Sequence, residues 1–246
     1  MTSPATSLGS RRSIKAWAVL AVVACAAAGC SSTVDGSARR QYSPAAALIQ
    51  ALPTADEVSI AVGNPLDAPG PPKVGSITVL PNGIRTSDDA TPLDCLGAVT
   101  PLMRVVYESG GVQAAAWQDY SRFGRGLTVS SAEAGVVLMD SEEAASRTFA
   151  AFVTRWRGCD GTTVTMQGLK LTVTDMRVAG PILTATILSG GDGGEQFPTE
   201  HAVGVAADCI VDVDVAITDP DPKLRVPDTR AADLVRLMLD KITLGR

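Results

Sequence analysis

The chain reads as an α+β domain, an antiparallel β-sheet packed by helices, and three observations predict it. Runs of apolar and β-branched residues late in the chain are separated by tight polar turns, as in hairpins. A capped amphipathic helix stands apart from them at residues 140–158, and a second stripe of apolar residues at helical spacing closes the chain. Strands grouped in hairpins with helices set apart place the helices on one face of an antiparallel sheet.

Each element follows from local chemistry. Ala46, Leu48, Ile49 and Leu52 begin a short helix that Pro53 ends. Pro65, Pro69, Gly70, Pro71 and Pro72 make residues 64–73 a loop, because proline cannot donate to a helix or a central strand. The spacing predicts a helix from about Pro92 to Tyr107 that carries Cys95. Val136–Met139 is a strand. Asp140 or Ser141 caps the next helix, Glu142 and Glu143 suit its first turn, and Ala145, Phe149, Phe152 and Trp156 form its buried stripe. Arg155 and Arg157 complement its C-terminal end and Gly158 stops it. Thr162–Met166, Leu169–Val178 and Ile182–Leu188 read as strands. His201–Ala206 and Ile210–Ile217 are the arms of a hairpin turning at Ala207-Asp208. Asp228 caps a final helix with the stripe Ala231, Leu234, Val235, Met238 and Ile242.

The N-terminus sets the compartment. Arg11, Arg12 and Lys15 precede an apolar run from Ala16 to Gly29, which ends at Cys30 after Ala27-Ala28-Gly29. A basic region, a short apolar run and small residues before the cut describe a secretory signal. The run falls short of the ~20 residues that span a bilayer. Cys30 stands where a bacterial lipobox places its acylated cysteine, although Ala27 occupies the position where leucine is usual. Plain secretion and an uncleaved anchor are the alternatives. The chain therefore divides into a lipoprotein signal (1–29), a small and polar tether (30–45) and one domain (46–246).

Cleavage before Cys30 leaves 217 residues and removes three basic residues and no acidic one, so the net charge goes from −5 to −8. An acidic surface is repelled by phosphate backbones and anionic lipid, which argues against nucleic acid as a partner and against a polybasic membrane patch. Contact with the bilayer then falls to acyl chains on Cys30.

Chemistry-bearing residues are sparse. His201 is the one histidine, so any hydrolase must use it or paired carboxylates. Ser130-Ser131 and Ser109-Gly110-Gly111 lack the G-x-S-x-G elbow. Gly190-Gly191-Asp192-Gly193-Gly194 lacks the P-loop ending and reads as a hairpin tip. Asp212 and Asp214, with Asp208, read as a solvated strand face rather than a calcium loop. No cofactor motif and no metal-ligand spacing is present. Trp117, Tyr120 and Phe123, with Arg122 and Arg125, are the densest aromatic and basic cluster. They read either as core with surface arginines or as an exposed wall for an apolar or anionic ligand, with Trp117, Tyr120 and Arg122 as the ligand-binding candidates. Three cysteines remain after the signal: Cys95, Cys159 and Cys209. An odd number leaves one outside any intrachain bridge, and Cys209, beside Ile210 and Val211, reads as a buried small hydrophobe.

Asp94-Cys95-Leu96-Gly97, Val136-Val137-Leu138 leading into Ser141–Phe152, and Arg155-Trp156-Arg157-Gly158-Cys159 together resemble the PknH-like extracellular domain family. His201-Ala202-Val203, Ile210-Val211-Asp212-Val213 and the last helix extend the likeness over about residues 75–245. This is the sensor domain of an actinobacterial Ser/Thr kinase, also found alone in lipid-anchored proteins; 16 Arg against 5 Lys fits a GC-rich genome. The resemblance implies an antiparallel sheet with helices around a V-shaped cleft, a ligand not yet identified, and no catalysis. It implies a Cys95–Cys159 disulfide. Relatives usually carry a second bridge across the late hairpin, but Thr199 and Ile217 stand near those positions here, which leaves Cys209 outside a disulfide. The function implied is a membrane-anchored, extracytoplasmic ligand-binding domain, with a protein-interaction module as the alternative and an envelope hydrolase as a third.

Overall fold

Residues 44–190, 196–218 and 229–245 are described by the computed structural model of the chain. Two helices, α1 (Pro44–Ala51) and α2 (Ala55–Val62), lead into β1 (Lys73–Gly75), a 3-10 turn at Ile77–Val79 and the short β2 (Ala90–Thr91). A second 3-10 turn, Leu93–Cys95, runs into α3 (Leu96–Val99) and then α4 (Arg104–Tyr107). β3 (Val112–Ser121) and β4 (Val129–Met139) precede the long α5 (Glu142–Cys159). β5 (Thr163–Met166), β6 (Leu169–Ala179), β7 (Ile182–Ser189), β8 (Phe197–Ala206) and β9 (Cys209–Ile217) follow, and α6 (Arg230–Leu244) comes last. Among the described residues, nine strands make one sheet in the order β1-β3-β4-β9-β8-β7-β6-β5-β2. Every neighbouring pair is antiparallel.

The sheet is buried on both sides, not on one. Along β9, Ile210 joins a cluster with Phe152 and Trp156 of α5, while Val211, Val213 and Val215 join a cluster with Leu234, Val235 and Met238 of α6. Alternation along a strand sends neighbouring side chains to opposite faces, so a strand covered on both faces becomes nearly continuous in apolar residues. Gly204 admits α6 closely, since a Cβ there would lie 2.5 Å from Val235 Cγ1.

The N-terminal arm belongs to the α6 face. Pro44–Val62 is apolar and long enough by composition to cross a membrane. It is two helices broken at Pro53, with Leu48 and Val58 in the core. Thr54 and Glu57 form a capping box at the start of α2, and the same Glu57 carboxylate accepts Lys241 Nζ of α6 at 2.6 Å. The first helix starts two residues before its predicted onset because Pro44 fits a first turn, where its missing N–H costs nothing.

Two helix predictions are corrected. The segment 92–107 is not one helix: it breaks at residues 100–103, where Leu102 takes a left-handed φ of 55° and its N–H leaves the helical ladder. Gly158 does not stop α5, which runs on to Cys159; left-handed Gly161 lies beyond that end. Ser141 caps α5 by accepting Ala144 N–H at 3.1 Å. Thr229 caps α6, and Asp228 lies outside the described residues.

Cys95 and Cys159 are joined, with Cα atoms 5.6 Å apart, so the 3-10 turn before α3 is bound to the end of α5. Non-reducing peptide mapping should recover these two cysteines in one linked pair. Replacing both with serine should cost about 4 kcal/mol in the chain-entropy picture of a loop this long, read as a lowered urea midpoint; an unchanged midpoint would count against the bridge. Gly135→Ala should also destabilise, by roughly 1–3 kcal/mol, because the new methyl would sit 2.5 Å from Leu102 Cδ1.

Candidate functional site

On the α5 face, one buried carboxylate organises the polar groups. Asp212 Oδ2 accepts the Leu102 N–H at 2.8 Å and the Tyr107 hydroxyl at 2.6 Å. Its Oδ1 lies 2.7 Å from His201 Nε2, and His201 Nδ1 lies 2.8 Å from the Ala98 carbonyl oxygen. Both ring nitrogens thus face acceptors, an arrangement that a doubly protonated imidazolium satisfies. The Trp156 ring, 4.6 Å from the imidazole centroid, adds a π-face against that cation. Burial by itself would lower the His201 pKa, but the Asp212 carboxylate and the bond to Ala98 outweigh it and hold it raised. Tyr107 is pushed well above the usual phenol range by burial and by the same carboxylate.

Next along the sheet stand three acids in register. Asp119 of β3 pairs with Glu133 of β4, and Glu133 pairs with Asp214 of β9. All three are half-buried. Burial first, then the neighbouring acids, pushes Glu133 up to about 9 and leaves one of its oxygens buried with no hydrogen-bond partner. Burial likewise raises Asp214 to about 6, although its Oδ1 accepts the Glu133 N–H at 3.1 Å. The sequence reading of Asp212 and Asp214 as a solvated strand face is therefore overturned, because the segment between α3 and α4 covers Asp212 and seals it from water. Among the described residues no group of three or more His, Cys, Asp or Glu side chains is spaced to hold a metal ion.

A recess of about 200 Å³ opens between α4 and α5. Val106, Ser109 and Gly110 form one wall, and Ala144, Arg147, Thr148, Ala151 and Arg155 form the other, over Phe152 as floor. The floor is braced from below: Phe152 meets the Tyr107 ring edge-on at 5.5 Å, and Asp212 fixes Tyr107 in turn. Sequence reasoning missed this site. Its signal was the second stripe of α5, where residues 144, 147, 148, 151 and 155 recur at intervals of three and four beside the apolar stripe.

The aromatic cluster does not form one wall. Trp117 and Tyr120 are buried, 7% and 1% exposed, on opposite faces of β3. Trp117 donates to the Val79 carbonyl at 2.8 Å and lies under Lys73 Nζ, while Tyr120 donates to the Pro53 carbonyl and ties the arm to the sheet. Arg122 pairs with Asp67 at 3.2 Å at the surface, and Phe123 is 91% exposed. Cys209 is buried, with its thiol 3.4 Å from Asp208 Oδ1. Cys30 and residues 191–194 of the glycine run lie outside the described residues.

Residues 43–241 match the family model described as the PknH-like extracellular domain. Among solved structures, the chain is similar to the crystal structure of the extracellular domain of PknH from Mycobacterium tuberculosis, with a TM-score of 0.68 at 20% identity. That alignment covers 82% of this chain and 97% of the other, and establishes a shared fold. No curated protein matches the sequence.

The raised groups give a signed pH dependence. His201, Glu133 and Asp214 each bind a proton more tightly folded than unfolded, so stability falls as pH rises. Asp214 loses its share between the ordinary aspartate range and about 6, and Glu133 between the ordinary glutamate range and about 9. The His201 share goes above about 6.5. The melting temperature should drop by about 3 °C or more from pH 5.5 to 8.5, and Glu133→Gln should shrink that drop. A flat or rising profile would refute the assignment. Asp212→Ala strands a buried cation and should cost about 3–5 kcal/mol in a denaturant titration.

Proposed function

Because the chain belongs to the PknH-like extracellular domain family, we propose that it is a non-catalytic ligand-binding domain held on the extracytoplasmic face of the membrane by acyl chains on Cys30. The basic and apolar leader at residues 11–30 supports export. The Cys95–Cys159 bond supports it independently, since such bonds persist in oxidising compartments.

The observation that carries the binding reading is the contrast between two places that α5 touches, His201 of β8 beneath it and the recess beside it. His201, the residue that acid–base chemistry would need, is 1% exposed with both nitrogens engaged. The recess is lined by guanidinium, hydroxyl and apolar groups, and none of its lining residues is a carboxylate or an imidazole that could activate Ser109 or Thr148 as a nucleophile. The second reading, a protein-interaction module, draws on Phe123, exposed between Arg122 and Arg125.

Mass spectrometry of the membrane fraction should find a mature N-terminus at Cys30 carrying acyl chains, and Cys30→Ala should leave the leader in place. Mild extraction of the membrane-bound protein should enrich a small molecule over a mock preparation. Recovery of none would shift the balance to the interaction module, and unmodified Cys30 in a full-length chain would remove the anchor.

A further inference from the structure

We propose that the recess between α4 and α5 binds a compact organic anion, an apolar aryl or branched aliphatic group bearing a carboxylate or phosphate. This deepens the ligand-binding reading and rests on it. The apolar part of such a molecule fits what α5 offers at the floor. Alanines at 144 and 151 leave space where larger side chains would fill it, and Phe152 and Val106 supply the surface beneath. The charged part fits the rim. Arg147 and Arg155 are two turns apart on one side of α5, about 12 Å along its axis, and both line the recess.

The rim charge is available. Arg147 pairs with Glu143 at 2.6 Å, but both side chains are mostly in water, where such a pair contributes little. An anion seated on an apolar floor is the stronger partner, because a guanidinium forms paired, charge-assisted bonds to carboxylate or phosphate. Arg155 has no ion pair among the described residues, and the Ser109 and Thr148 hydroxyls can complete the shell. In a mature chain of net charge −8, two arginines on one apolar recess are a local reversal of sign.

Size and rigidity narrow the class. About 200 Å³ is below the usual ~300–1,000 Å³ of pockets for drug-sized ligands, so a whole lipid or glycan chain is too large. The walls are set before binding. A Cβ at Gly110 would lie 2.8 Å from Met139 Cε and 3.4 Å from Thr148 Oγ1, so the loop after α4 rests directly on α5. Preformed walls spare a ligand the ordering loss.

The test uses the purified full chain and two probes that share one carbon skeleton, 4-phenylbutyrate and the neutral 4-phenylbutan-1-ol, followed by amide chemical shifts. The acid should move Ser109, Gly110 and Thr148 and bind about tenfold or more tighter than the alcohol. The paired variant Arg147→Gln with Arg155→Gln should lose about the same factor with its melting temperature kept, both sites being exposed. Ala151→Leu, also at an exposed position, should block binding by filling the recess. Equal affinity for acid and alcohol, unaltered binding by the variants, or no shift at these residues would overturn the site. Shifts confined to the Glu133 and Asp214 strip would overturn it too, while leaving the broader binding reading intact. An empty native extract alongside a positive titration would sustain the site and overturn only the claim of a retained ligand.

Discussion

A carboxylate taken out of water must be met by donors, and at Asp212 the donors come from two other pieces of chain, the segment 96–107 and strand β8. The Leu102 N–H, the Tyr107 hydroxyl and the His201 ring converge on its two oxygens. This one side chain thereby fixes how the segment 96–107 lies on the sheet. Satisfying it has a local consequence: Leu102 turns left-handed, the helix breaks in two, and Gly135 must stay bare to let the Leu102 side chain down. The disulfide at Cys95 holds the other end of the same segment to α5. A strip of chain pinned at both ends becomes a rigid wall, and the recess between α4 and α5 is the space that wall leaves.

The opposite face is built with less electrostatic tension. Glu200 takes the start of α6, accepting the Ala231 N–H and the Arg230 guanidinium, as a carboxylate at a helix N-terminus should. Lys241 near the other end reaches the Leu52 carbonyl and Glu57. Both ends of α6 are therefore tied, one to the sheet and one to the arm. The α5 face instead keeps Asp119, Glu133 and Asp214 in one row, where a protonated Glu133 relieves repulsion that three charged acids would sustain. Burial raises Glu200 on the α6 face as well, so both faces carry pH-dependent groups, with His201, Glu133 and Asp214 on the side that carries the recess.

Legibility in the sequence followed the range of the interactions. α5 was readable because its Ser141 cap, acidic first turn and apolar stripe all lie within 18 residues. The late hairpin was readable because a two-residue turn at Ala207-Asp208 separates two strand-like runs. β3 was not, since Ala114, Ala115 and Ala116 have little strand preference and become a strand only by pairing with β1 and β4. The fate of Trp117 and Tyr120 follows from that omission. Residues three apart share a face on a helix but point to opposite faces on a strand, so the supposed wall was divided by the sheet.

By itself the sequence determined the acidic balance of the chain, a net charge of −5, and the family to which the domain belongs. Those are properties of contiguous residues and composition. Only the tertiary structure decided that Asp212 is buried rather than solvated, that His201 is sealed, and that the second stripe of α5 faces a recess. The bonds responsible join residues 110, 105 and 103 positions apart. Local pattern carries no record of such distances, because it is set by neighbours in the chain, whereas the environment of a charge is set by whatever folds over it.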